Sequence, residues 1–295
     1  PDGTHLVSVG REGEGPGEFK WMGEIWPIHG DSLVIYDYIN SMRLSVFDAY
    51  GTFGRAFRLE HASSSIPQAQ DVIWGDRVLS RSGIFGAEEP LDGLRRDSAL
   101  YCTHSLDGAV LDTLGRFPGS ELFTRSVGPS SSVALSRPFG RAVTSAATAD
   151  FWYFGSSDRY EIEGYGRSGM LERLIRRDVT NRPVTQDLLD ERARRLRESG
   201  NPNAARLQRD IPVPETMPAH GRILGDAEGN LWVQEYRIRD EPERWAVFDP
   251  SGRFLGIVDM PAPGRVTQIG SDDVLGIWTD DLDVEQVRLY ALIKD

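Results

Sequence analysis

DSLVIYDYINSMRLSVFDAYGTFGRAFRLE, residues 31–60, contains three short runs of strand-forming residues separated by turn residues. The first run, LVIYD, is followed by the polar segment YINSM, and the second run, RLSVFD, leads through DAYG into FGRAFRLE. Aspartate and glycine favour tight turns, because aspartate hydrogen-bonds to nearby main chain and glycine accepts a positive φ. The stretch therefore predicts three consecutive antiparallel strands.

This strand–turn–strand pattern returns along the chain. The later copies are 98–117, 159–178 and 244–261. The turn glycines of the four copies are Gly51, Gly108, Gly169 and Gly252. Two more strand-like runs precede each hairpin, and the candidates for the inner strand are GEIWPI, QDVIWG, RAVTSAA, RILGD and RVTQIG. Four strands per unit, repeated along the chain, are typical of a β-propeller.

The two ends of the chain are complementary in this pattern. HLVSV (5–9) is typical of an outer strand without the rest of its blade, whereas the last unit stops after its third strand, EQVRLYALI (285–293). We therefore predict an all-β, single-domain propeller over 1–295 with four-stranded antiparallel blades, of which five can be counted. Pairing of residues 5–9 with the last blade closes the ring and protects both strand edges. The alternative is a further blade upstream of Pro1.

Composition excludes several classes of protein. A net charge of −12 disfavours nonspecific binding to nucleic acid, whose phosphates it would repel. No apolar run is long enough to span a membrane. The single cysteine, Cys102, excludes an internal disulfide and is expected to be a packed strand residue. We predict a monomer.

The segment GREGEGPGEF (10–19), together with the opening stretch, resembles the NHL-repeat pattern of a glycine-rich loop followed by tyrosine–aspartate, asparagine, arginine and Val-Phe-Asp. The matching residues are Gly13, Gly15, Gly17, Phe19, Tyr36, Asp37, Asn40, Arg43, Val46, Phe47, Asp48 and Gly51. The rest of the chain is similar to bacterial six-bladed β-propeller proteins, many of them exported. The resemblance implies six blades rather than five, binding more than catalysis, and an extracytoplasmic location.

Loop length indicates a working face. In a four-stranded blade, the crossing to the next blade and the loop between the second and third strands open on the same side. The long segments all fall there: 11–19, 60–68, 81–96, 118–137, 179–218 and 236–244. Long loops on a rigid scaffold usually carry binding, although some are only tolerated insertions.

The longest of these segments, the insert 179–218, predicts a helical hairpin over about 184–210. Leu189, Ala193 and Leu196 form an apolar stripe, and Thr185 caps the start of the first helix. The insert is arginine-rich, which suits a lid, a contact with an anionic partner, or a solvated helix with Glu–Arg pairs.

Polar and aromatic residues on the long-loop face are the candidate ligand-binding residues. They are Arg11, Lys20, Trp21, Tyr38, Asn40, Arg43, His61, Arg137, Arg141, Arg159, His220, Tyr236 and Arg237. Arginines bind carboxylates and sulfates, and aromatic rings stack on sugars or peptides. We therefore predict a non-enzymatic propeller that binds a protein or a small anionic or carbohydrate ligand through this face and the channel mouth.

Catalysis is the alternative function. His61 and His220 both precede inner strands and could meet across the mouth, which would suit a metal-assisted lyase, lactonase or hydrolase with a divalent ion. No zinc spacing, Walker sequence or G-x-S-x-G motif is present, so we predict no fixed metal ligands and leave the catalytic residues open.

Overall fold

The computed structural model describes residues 5, 7–38, 42–83, 92–128, 131–198, 202–208, 210–238, 241–261, 264–280, 282 and 284–294. The first strands are β1 (Arg11–Glu12), β2 (Glu18–Phe19), β3 (Met22–Ile28), β4 (Ser32–Asp37), β5 (Arg43–Phe47), β6 (Phe53–Arg58), β7 (Gln68–Ile73), β8 (Arg77–Ser82), β9 (Gly93–Arg95), β10 (Ser98–Ser105), β11 (Val110–Pro118), β12 (Leu122–Gly128) and β13 (Ser131–Ser136). The remaining elements are β14 (Thr144–Ala147), β15 (Trp152–Gly155), β16 (Glu161–Tyr165), β17 (Leu171–Arg176), α1 (Gln186–Glu198), α2 (Pro202–Leu207), β18 (Ile223–Gly225), β19 (Leu231–Gln234), β20 (Arg244–Phe248), β21 (Phe254–Asp259), β22 (Arg265–Ile269), β23 (Asp273–Thr279) and β24 (Glu285–Ala291).

Five antiparallel sheets follow one another along the chain. Sheet 1 is β3–β4–β5–β6, sheet 2 is β7–β8–β10–β11, sheet 3 is β14–β15–β16–β17, and sheet 4 is β18–β19–β20–β21. Sheet 5, β22–β23–β24, has three strands among the residues that the structure describes. The four-stranded units predicted from the sequence are thereby confirmed.

The outer hairpin of each four-stranded sheet turns at its expected glycine. Gly51, Gly108, Gly169 and Gly252 have φ values of 78°, 100°, 75° and 86°. A side chain at such a left-handed φ would be strained, so glycine suits these turns. At the N-terminus the outcome differs: residues 7–10 adopt no strand, and β24 pairs with β23. Closure of the ring by residues 5–9, and the number of blades, stay predictions.

The sheets pack face to face through four apolar clusters. Inner strands of successive sheets contact each other in the order β3, β7, β14, β18 and β22. One cluster joins each successive pair of sheets, and Trp152, Trp232, Trp245 and Trp278 are almost fully buried in them. Burying a large apolar side chain stabilises a fold by about 1.5–3 kcal/mol, so these clusters hold the series of sheets together.

Two of the predicted long loops are not loops throughout. Segments 81–96 and 118–137 supply β9, β12 and β13, which form a three-stranded antiparallel side sheet with Leu122 opposite Arg95 and Ser136. The prediction of two separate loops was wrong in this respect. Because β9 lies between the second and third strands of sheet 2, and β12 and β13 lie in the crossing to sheet 3, their pairing confirms that both segments open on one side.

The insert contains the predicted helices. Helix α1 follows Thr185, whose carbonyl accepts a hydrogen bond from Leu189 N at 3.3 Å, and α2 contacts α1. None of the α1 side chains is buried, so the stripe containing Leu189, Ala193 and Leu196 is only partly covered. The first helix is therefore held over the sheets without an apolar core of its own.

Candidate functional site

Three cavities meet at one segment, Tyr236–Arg237, on the long-loop side of sheets 3 and 4. We call this region the mouth. The cavities have volumes of about 410, 430 and 480 Å³, and both residues line all three. The first cavity lies under α1, the second lies beside 177–182, and the third is lined by residues that precede β14 and β18. Ligand sites in proteins are commonly concave regions of this size with a few polar groups.

Hydrogen bonds fix the main chain of the mouth segment after β19 ends. Glu235 N donates to Arg244 O at 2.9 Å, and Arg182 Nη2 donates to Tyr236 O at 3.0 Å. Arg182 also forms a bidentate ion pair with Glu241, at 2.7 and 2.9 Å. Burial raises the pKa of the Tyr236 hydroxyl, so it stays protonated and is available as a donor.

Arg237 contributes a cation to the mouth. Its side chain is half-buried, and it forms no hydrogen bond or ion pair with any residue that the structure describes. Its charge lowers the pKa of Glu241, but that carboxylate is hydrogen-bonded to Arg182 rather than to Arg237. Desolvating a guanidinium is costly unless it is paired, so such a side chain favours an incoming anion. Arg192 of α1 faces the same 410 Å³ cavity, and burial lowers its pKa.

The predicted arginines Arg137 and Arg141 hold the insert in place. Arg137 Nε donates to Pro212 O at 2.9 Å, and its Nη1 contacts the carboxylate of Glu121 at 3.1 Å. Arg141 donates to both Thr216 O (3.0 Å) and Thr216 Oγ1 (2.8 Å). These guanidinium groups are therefore occupied by the fold, next to the mouth.

The two histidines of the catalytic alternative have different surroundings. His220 is 1% exposed, its Nδ1 donates to Gly221 O at 2.9 Å, and burial lowers its pKa, so the ring is neutral. Its ring packs so closely on Gly155 that a Cβ there would lie 2.7 Å from Cε1. His61 is exposed. In the described part of the chain, no group of three His, Cys, Asp or Glu residues is placed to hold a metal ion.

The candidates near the glycine-rich loop lie on sheet 1. Arg43 Nη1 donates to Glu14 O at 2.9 Å, and Arg11 Nε donates to Glu18 at 2.6 Å, so both residues stabilise the loop. Lys20 pairs with Glu14. Phe19 anchors the loop in a cluster with Ile35 and Phe47.

The remaining candidate binding residues are exposed or lie outside the description. Trp21, Tyr38 and Arg159 are exposed, and Asn40 lies outside the described residues.

Four charged residues lie on or directly before the inner strands, and electrostatic interactions link Glu24 with Asp71 and Arg222, and Arg222 with Arg265. We call the space between these inner strands the axial space. Sequence reasoning missed all four. Glu24 lies on β3 and Asp71 on β7, whereas Arg222 precedes β18 and Arg265 begins β22. Burial, with a smaller contribution from Glu24, raises the pKa of Asp71 to about 7. Each is a single charged residue in or beside a run that is otherwise typical of a strand, so the sequence pattern does not predict that these charges interact.

A buried carboxylate supports the arginine side of the axial space. Glu243 is 1% exposed and accepts hydrogen bonds from Gln234 Nε2 and Trp245 Nε1, both at 3.0 Å, and from Gly264 N at 3.1 Å. Arg222 Nη1 donates to Val266 O at 3.1 Å. Glu243 thus links sheet 4 to the crossing into sheet 5, close to the guanidinium of Arg222.

No family model matches the sequence, and no curated protein is significantly similar to it. A solved structure of a DUF4221 family member from Bacteroides vulgatus superimposes with a TM-score of 0.52 and 9% identity, over 95% of this chain and 81% of that one. The fold is that of a β-propeller.

Two further solved structures are more distant. Hydrazine synthase from Kuenenia stuttgartiensis has a TM-score of 0.43 and 10% identity, over 100% of this chain and 66% of that one. Streptogramin B lyase has a TM-score of 0.37 and 12% identity, over 93% of this chain and 84% of that one. This chain therefore spans slightly less than two thirds of the hydrazine synthase chain. Propellers host both binding proteins and enzymes, so the fold does not choose between them.

Proposed function

We propose that this protein is a non-enzymatic β-propeller that binds a small anionic ligand at the mouth. The observation that carries the proposal is Arg237, a half-buried guanidinium that lines three adjoining cavities and is hydrogen-bonded to none of the described residues. Tyr236 supplies a protonated hydroxyl beside it. A carboxylate, sulfate or acidic sugar would complete the hydrogen bonding of this arginine.

The proposal is tested by calorimetric titration of the protein with sulfate, citrate and glucuronate. Replacing Arg237 with glutamine is expected to weaken binding at least about tenfold, because hydrogen bonds to charged groups are each worth about 1.5–3 kcal/mol. Arg116→Gln is the matched control, since Arg116 is exposed on the outer strand β11. Equal affinities of the two variants, or binding of none of the three anions, would overturn the proposal.

We further propose that residues 5–9 act as the missing outer strand of sheet 5. In three sheets, the turn glycine lies against the outer strand of the preceding sheet: Gly108 against β6, Gly169 against β11 and Gly252 against β17. The turn glycine of sheet 1, Gly51, lies instead against Val9, to which an added Cβ would approach within 2.6 Å, and Val7. This contact of Gly51 with residues 7 and 9 supports the proposal that they take the place of an outer strand preceding sheet 1.

Hydrogen exchange distinguishes this closure from other arrangements. A variant that begins at residue 10 is expected to lose amide protection along β24, because that strand loses its second partner. Protection along β20, which is paired on both sides, serves as the internal control. Unchanged protection of β24 would refute the pairing.

The NHL-like assignment, the six-bladed family and the extracytoplasmic location are proposals that rest on the sequence resemblance. No helix in the described residues is long and apolar enough to cross a membrane. Fractionation of the producing cells tests the location, and recovery of the protein with the cytoplasmic fraction would contradict it.

A further inference from the structure

The inner strands carry opposite charges on opposite walls of the axial space. The acidic wall has Glu24 and Asp71, from sheets 1 and 2, and the basic wall has Arg222 and Arg265, from sheets 4 and 5. Among the described residues, no ion pair joins one wall to the other. Glu24, Arg222 and Arg265 are exposed, so these charges are accessible rather than neutralised directly by one another.

The walls are nevertheless close enough to interact. Burial lowers the pKa of Arg222, the carboxylates of Glu243 and Glu24 oppose this shift, and the guanidinium of Arg265 adds to it. Glu24 also raises the pKa of Asp71. Sheets 1 and 4 are not neighbours in the series, so their electrostatic interaction means that the inner strands curve around a common space.

Room for a ligand is present at each wall. A cavity of about 500 Å³ lies at the acidic wall, lined by Glu24, Gln68, Gln70 and Tyr38 among others. The third cavity of the mouth, about 480 Å³, also reaches the basic wall, because Arg222 lines it together with Arg237. Carboxylates beside a tyrosine ring suit an ammonium group, and guanidinium groups suit a carboxylate.

We propose that the axial space binds a zwitterionic small molecule, such as a free amino acid or a short peptide, with its ammonium group at Glu24 and Asp71 and its carboxylate at Arg222 and Arg265. A molecule with both charges satisfies both walls, whereas a simple anion or cation leaves one wall unpaired. Asp71 is poorly solvated where it lies, so an ammonium group beside it replaces the missing solvation. The inference goes beyond the mouth site, because it rests on four inner-strand charges other than Arg237 and places the ammonium group at a different cavity, the one lined by Glu24.

The test uses calorimetry with alanine, alanyl-alanine and trialanine, which place the two charges at increasing separations. At least one is expected to bind, and its N-acetylated and C-amidated forms are each expected to bind at least tenfold more weakly. Two ratios are measured: the affinity of the free form divided by that of the acetylated form, and the affinity of the free form divided by that of the amidated form. Glu24→Gln should bring the first ratio close to one. Arg265→Gln should bring the second ratio close to one.

Both substitutions are at exposed positions, so the variants are expected to fold. Arg116→Gln, at an exposed position on the outer strand β11, should leave both ratios unchanged. Binding at the mouth alone would not depend on a free ammonium group or on Glu24, which separates a failure of this site from a failure of the mouth. Equal binding of blocked and free forms, binding of none of the three, or discrimination that survives both substitutions would overturn the proposal.

Discussion

Replacement of Glu243 with alanine is expected to destabilise the protein by about 4 kcal/mol. The buried carboxylate accepts hydrogen bonds from Gln234, Trp245 and Gly264, and all three donors lose their partner in the variant. At about 1.5 kcal/mol for each bond to a charged group, the loss is between about 4 and 5 kcal/mol. Removal of one member of a buried charged network typically costs about 3–5 kcal/mol, which agrees.

Glutamine at position 243 gives an intermediate result. If its amide oxygen takes the position that accepts from Gln234 and Trp245, only the bond from Gly264 N is lost. The expected cost is then about 1–2 kcal/mol. Glu285→Ala is the control, since Glu285 is exposed at the start of β24, and surface changes of this kind usually stay within about 0.5 kcal/mol.

Urea unfolding at pH 7, followed by the fluorescence of the seven tryptophans, measures these differences. The expected order of stability is wild type and Glu285→Ala, then Glu243→Gln, then Glu243→Ala. A loss of less than about 1 kcal/mol in Glu243→Ala would refute the reasoning, because it would mean that the three donors find water or other partners at no cost.

Two further predictions concern the interior. The pKa of Asp71 in the folded protein, about 7, is above its value in the unfolded chain. Between about pH 4 and 7 the folded state therefore holds a proton that the unfolded state has lost. Because of this difference, Asp71 lowers the stability of the protein as the pH rises through that window. Asp71→Asn should flatten the dependence of the urea midpoint on pH between 5 and 8 and stabilise the protein at pH 8. An unchanged slope would contradict the desolvation of this half-buried carboxyl. Gly155→Ala should cost about 1–3 kcal/mol in urea unfolding, because its Cβ would clash with His220 and with Ile162 at 2.8 Å, whereas Gly256→Ala, with open space around it, should be close to neutral. Equal stability of these two glycine variants would show that the His220 ring moves aside freely.

Much of the fold could be predicted from periodicity and turns. The strand runs around DAYG and DPSG became β5–β6 and β20–β21, because local alternation and turn chemistry decide such hairpins. The side sheet was missed because its strands pair across long separations, such as β9 with β12, and neither run is strongly patterned. Nonlocal pairing of this kind leaves little trace in a single sequence.

The candidate site was predicted less completely than the fold. The sequence shows where an arginine stands but not which group its guanidinium contacts. Arg141 donates to a threonine of the insert, whereas Arg237 lines cavities. Nothing in the run QDVIWG distinguishes Asp71 from a surface aspartate. Only its position between sheets desolvates its carboxyl and raises the pKa. Loop length located the right side of the molecule, whereas the roles of individual side chains depended on packing.

The attachment of the insert has a consequence for how its sequence can vary. Three scaffold arginines donate to main-chain oxygens of the insert: Arg125 to Arg206 O, Arg137 to Pro212 O and Arg141 to Thr216 O. Main-chain oxygens are present whatever side chain stands at those positions. Substitutions in the insert can therefore change the side chains that face the mouth, and with them the ligand preference, while the same three arginines still hold the insert in place. Recognition and attachment are separately mutable in this protein.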